Sequence, residues 1–102
     1  MHIPIKIHTR FRPKPTAEHV LAKVTEVMTD HLRQSRILFE ASRIDAKQST
    51  KFSELLNVSA NEVYRQVKSG QLDSRNAVKY YIALVEHARE HILNLRPIGK
   101  RK

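Results

Sequence analysis

Apolar residues recur along this chain at two periods, and the change of period marks its elements. In residues 1–12 the alternation is strict. Met1, Ile3, Ile5, Ile7 and Phe11 fall on one side, and His2, Pro4, Lys6, His8, Arg10 and Arg12 on the other. That is the period of a strand with one buried and one basic face; Pro4 makes it an edge strand or an extended arm. From Ala17 to about Lys47 the pattern turns helical, with Thr16 as N-cap and Glu18 in the first turn. Val20, Leu21, Val24, Val27, Met28 and Leu32 form one stripe, and Ile37, Leu38, Ala41 and Ile44 a second, rotated from the first. The spacing predicts one long helix that changes partners midway, in preference to a break near residues 33–35. Residues 48–50 read as a break, with Ser49 or Thr50 capping the next helix. Asp73 or Ser74 caps a last helix over residues 75–95. There Ala77, Tyr81, Leu84, Val85, Ala88, Ile92 and Leu95 share one side, while Val78, Ile82 and Leu93 make a second strip. The second strip fits either a dimer partner or packing within one bundle.

Residues 52–70 read as two short helices joined by a tight turn. Leu55 and Leu56 close the first, Asn57 takes the left-handed position, and Val58 points inward from the turn. Ser59 caps the second helix with Glu62 three residues on, and Gly70 ends it just after Lys68. Leu55, Leu56, Val58, Ser59, Val63, Tyr64, Arg65 and Gly70 together resemble the helix-turn-helix of excisionase-like and MerR-like DNA-binding domains. Asn57 stands where glycine is usual there, Ser53 where alanine is, and Gln66 where an aliphatic residue is common. A plain helical hairpin needs a similar apolar spacing. The expected fold is all-α: a small helical domain with one long N-terminal helix, a central helix-turn-helix and a long C-terminal helix, preceded by a short extended or β arm. The organisation is a basic extended arm (1–15), a single helical domain (16–95) and a basic tail (96–102). The arm looks a little like the intermolecular ribbon of ribbon-helix-helix repressors, although Pro13-Lys14-Pro15 inserts a stiff spacer. An arm lying on its own domain is the other reading.

The charge changes the picture more than the composition does. The chain has 102 residues and a formal net charge of +9. Residues 1–15 carry Lys6, Arg10, Arg12 and Lys14 and no acid; residues 96–102 carry Arg96, Lys100, Arg101 and Lys102 and no acid. Eight of the nine net charges therefore sit on the two ends, around a nearly neutral middle. Both ends are read as contacting a polyanion, most simply the phosphates of duplex DNA; solubilising tails are the plainer alternative. The resemblance implies that Asn61 and Arg65 read base edges while Lys68 and Lys51 touch phosphates. The terminal cations Lys6, Arg10, Arg12, Lys14, Lys100, Arg101 and Lys102 would add affinity and steering. The expected function is a small DNA-binding protein, a transcriptional regulator or mobile-element accessory factor, acting as a homodimer. The alternative is a helical adaptor or inhibitor that binds another protein through residues 75–95, and a third reading is an architectural binder of DNA or RNA without base readout.

Other chemistries find little purchase. There is no cysteine, which removes disulfide frameworks and Cys-based zinc fingers. No apolar run approaches ~18 residues and the start lacks an apolar stretch, so neither a membrane span nor a secretory signal is expected, and the expected location is cytoplasmic, nucleoid-associated if the protein binds DNA. His87-Ala88-Arg89-Glu90-His91 spells a zinc-peptidase spacing, H-x-x-E-H, but lies on a helix edge with no acidic residue after Glu90 to complete a ligand set. Two glycines cannot build a phosphate-cradling loop. The sequence is read as that of a non-enzyme with no metal or cofactor.

Overall fold

The computed structural model describes residues 14–94, and within them the chain is three helices: α1 (Ala17–Glu40), α2 (Ala46–Ser69) and α3 (Ala77–Ile92). Helix α1 starts where Thr16 Oγ1 accepts the His19 N–H at 3.1 Å. Helix α2 starts with a reciprocal capping box: Asp45 Oδ1 accepts from the Gln48 amide at 2.8 Å, and Gln48 Oε1 accepts from the Asp45 amide at 2.9 Å. The three run up, down and up. Tyr64 near the end of α2 donates to Glu18 at the start of α1 (3.2 Å), Gln48 Nε2 at the start of α2 donates to the Ile92 carbonyl at the end of α3 (3.0 Å), and the Tyr81 hydroxyl donates to the Leu56 carbonyl (3.0 Å).

Both interhelical corners use the same device. After α2 the Gly70 N–H returns to Val67 O and the Gln71 N–H to Gln66 O; after α1 the Ser42 N–H returns to Phe39 O and the Arg43 N–H to Leu38 O. Each is a Schellman closure with a left-handed residue at its centre, Gly70 at φ 85° and Ser42 at φ 62°. Glycine marks the second corner in the sequence. Serine hides the first, which is why the spacing carries α1 on to Lys47 although it ends at Glu40. The buried line along α1 is continuous and passes through Ser35, with half-buried Met28, Leu32 and Leu38 around it, so residues 33–35 contain no break. Polar residues at buried positions made one stripe look like two, and Ile37 of the supposed second stripe is 58% exposed.

The expected helix-turn-helix is absent. Residues 52–70 contain one uninterrupted helix up to Ser69, and the break expected at residues 48–50 lies inside its first turns. Asn57 donates back to the Ser53 carbonyl as a mid-helix residue, Val58 is 66% exposed instead of pointing inward, and Glu62 binds Gln66 and Arg65, not a cap at Ser59. Packing decides this. Phe52, Leu56, Ala60 and Val63 lie on one line and are all buried; a turn at residues 57–59 would swing Ala60 and Val63 off it. Burying a leucine or valine contributes roughly 1.5–3 kcal/mol, whereas Asn, Val and Ser in a helix interior cost at most about 0.7 kcal/mol each.

Helix α3 is shorter than the expected 75–95. Asp73 closes the turn before it, accepting the Arg75 amide at 2.9 Å, while Asn76 stands at the cap position without a side-chain cap bond. Val20 and Val24 of α1, the buried line of α2, and Ala77, Tyr81, Val85 and Ala88 of α3 make one core with Ile44 and Leu93. Val78 packs against that core and Leu93 belongs to it, so most of the second apolar strip is used inside the bundle. The arm over residues 1–12 and the tail over 96–102 lie outside the described residues.

Candidate nucleic-acid interface

A continuous α2 puts the candidate residues in an arrangement that two short helices would not allow. At 100° per residue, Lys47, Lys51, Glu54, Val58, Asn61, Arg65 and Lys68 fall within an arc of about 100°, opposite the buried line. All seven are exposed. Lys51, Asn61, Arg65 and Lys68, singled out from the sequence, are thus brought onto one face, but not as the start of a recognition helix. Sequence reasoning misses Lys47, which joins the stripe only once the helix is known to begin at Ala46, one turn before Lys51 on the same face. Arg43, in the corner just before α2, is missed for the same reason.

The cations are not equivalent. Among the described residues no carboxylate comes within 4.0 Å of Arg43, Lys47 or Lys51, so these three cations are not ion-paired there. At the other end Arg65 is paired with Glu62, and Lys68 Nζ lies 3.8 Å from Glu18 Oε2 and 5.6 Å from the centre of the Tyr64 ring. The Glu18 carboxyl is held below its ordinary pKa by its backbone hydrogen bond at the helix start, and further by Tyr64 and Lys68. Glu62 is lowered by the Gln66 amide first and by Arg65 second. These pairs are exposed, so they hold side-chain geometry more than they stabilise the fold. Phosphate can compete for such cations in water.

Lys14 is exposed beside the opening of α1, at the rim of a shallow hollow shared with Pro15, Val67, Gly70 and Asp73. Asp73 itself is held at about 2 by the Arg75 side chain and amide, with Lys14 adding a smaller push. Lys6, Arg10, Arg12, Lys100, Arg101 and Lys102 lie outside the described residues, but their points of attachment do not. Residue 14 precedes α1 at the end of the bundle where α2 finishes. Residue 94 follows α3 at the end where α2 begins, as the Gln48–Ile92 bond shows. The two basic segments therefore leave from opposite ends of α2.

His87 and His91 are exposed, with rings stacked at 4.0 Å, and His91 Nδ1 lies 2.9 Å from the His87 carbonyl. Among the described residues no group of three or more metal-ligating side chains gathers around them, and no helix is long and apolar enough to cross a membrane. No protein-family model, curated protein or solved structure matches the chain.

Proposed function

We propose that this protein binds duplex DNA through phosphate contacts, as a small basic helical binder without a helix-turn-helix. The observation that carries this reading is the placement of charge. Eight of nine net charges lie in two segments that leave from opposite ends of one bundle, and the helix running between those ends exposes Lys47, Lys51, Arg65 and Lys68 along one face. Such an array gains most from a regular polyanion, because each neutralised phosphate releases condensed counterions. Asn61 and Arg65 are no longer placed at the tip of a recognition helix, so affinity rests on the backbone and not on base edges.

The test is fluorescence anisotropy with two unrelated 20-base-pair duplexes over 50–200 mM salt. Similar affinities for both, falling steeply with salt, are the expected result; six or more phosphate contacts correspond to a loss of about 10³ or more across that range. Absence of binding at 50 mM salt, or tight binding to one duplex alone that persists at 200 mM, overturns the proposal.

A further inference from the structure

Resting on that reading, we infer that a single duplex lies lengthwise along the outward face of α2, gripped at both ends of that helix about one helical turn apart. The alternative for a molecule with two basic ends is to bridge two separate duplexes, and the distribution of charge over the three helices argues against it. Helix α1 has three basic and four acidic residues, α3 has two of each, and α2 alone is positive, with four against two. A bridge needs charge only at its ends. Of the three helices that run between the ends, α2 is the only positive one.

The spacing along that face fits a duplex. Lys47 and Lys51 form one cationic pair, and Arg65 and Lys68 the other. The helix rises ~26 Å between the centres of the two pairs and ~32 Å from Lys47 to Lys68, so the outer cations of the two pairs come close to the ~34 Å after which a B-form strand returns to the same face. The residues between the pairs are Glu54, Val58 and Asn61. Glu54 on a phosphate ridge would be repelled. Between two ridges it faces a groove, where no phosphate projects. At the first pair Arg43, with no carboxylate within 4.0 Å among the described residues, adds a further cation; at the second Lys14 adds one beside Asp73. Two linked cationic grips on one lattice bind far more tightly than either alone.

The test compares two variants of equal net charge. One is K47Q/K51Q/R65Q/K68Q on α2; the other is K23Q/R33Q/R36Q/K79Q on the outward faces of α1 and α3. All eight positions are exposed. On a 12-base-pair duplex the α2 variant should lower the slope of log K against log salt by roughly 3 to 4, following ~0.9 per lost phosphate contact, and the control should lower it by less than about 1. Should the quadruple α2 variant lose helicity, K47Q/K51Q and R65Q/K68Q carry the same test, each with about half the effect. A second measurement uses a hairpin-closed 6-base-pair duplex, ~20 Å long, which reaches only one grip. R65Q/K68Q should then weaken binding no more than about twofold, because the short duplex can still use the Lys47/Lys51 grip, but at least tenfold on 12 base pairs. Equal slopes for the α2 variant and the control overturn the lengthwise placement while leaving duplex binding intact, as does sedimentation of wild-type complexes containing two 12-base-pair duplexes per protein. Failure of wild type to bind any duplex at 50 mM salt overturns both this inference and the reading beneath it.

Discussion

The continuity of α2 can be tested with two small substitutions that have opposite signs in the two possible structures. In the observed one, Asp45 is the N-cap and Ser59 is mid-helix. Replacing Asp45 by alanine removes the acceptor of the 2.8 Å bond from the Gln48 amide and leaves Gln48, which also donates to the Ile92 carbonyl, without its reciprocal anchor. A lost cap of this kind costs about 1 kcal/mol, within a range of about 0.5–2. Asp45→Asn keeps the acceptor and should differ from wild type by only a few tenths of a kcal/mol. Ser59→Ala should be neutral or stabilising by up to about 0.5 kcal/mol, because alanine is the better interior helix residue and the Ser59 hydroxyl forms no cap. With a turn at residues 57–59 the order would invert, Ser59→Ala costing about 1 kcal/mol. Urea unfolding followed by circular dichroism reads both as shifts of midpoint at constant slope. The thermal midpoint should move by about 4–8 °C per kcal/mol for a domain of this size. A destabilised Ser59→Ala beside an unaffected Asp45→Ala refutes the continuous helix.

Other contacts in the bundle carry expectations of their own. Tyr81→Phe removes the buried hydroxyl that donates to Leu56 O at 3.0 Å and should cost about 1 kcal/mol in the same unfolding assay. The two corners should respond in opposite directions. Ser42→Gly relieves a left-handed serine and should stabilise by about 0.5–1 kcal/mol, while Gly70→Ala meets no atom within 4 Å yet forces a side chain into φ 85° and should destabilise by about 1 kcal/mol. Burial pushes the Tyr81 phenol from 10.0 to about 12. The folded state therefore holds that proton more tightly than the unfolded chain does. The stability it contributes is present below pH 10 and is lost as the pH rises through about 12. Absorbance at 295 nm, compared between wild type and Tyr81→Phe, should show the missing tyrosine ionising together with unfolding. Ionisation of Tyr81 near pH 10 with the fold intact would contradict its burial.

Local signals with one physical meaning are legible in the residues. Thr16 ahead of an amphipathic run is a cap in almost any context, and Gly70 after Lys68 has little competition as a left-handed closure. The buried side of α3, from Ala77 through Tyr81 and Val85 to Ala88, keeps its period without interruption and is the same in sequence and structure. Trouble comes where one residue serves two meanings. Asn-Val-Ser at 57–59 is acceptable as a turn and tolerable as helix; Ser42 is an unremarked polar residue until it takes a positive φ; Ser35 looks like a solvent position but is buried in the bundle.

The same division applies to the candidate site. The sequence by itself determined how much charge there is and which segments hold it, because charge is a property of the residues and survives any fold. It also determined that the described residues would be mostly helical, since the 3.6-residue period is local. Only tertiary structure decided that residues 46–69 form one helix: the choice between turn and helix there depends on what Phe52, Leu56, Ala60 and Val63 pack against, and those partners lie on α1 and α3, far away along the chain. Once that helix is continuous, Lys47, Lys51, Arg65 and Lys68 share one face, and residues 14 and 94, from which the two basic segments continue, lie at its opposite ends. The distances between charges, unlike their number, are fixed by packing.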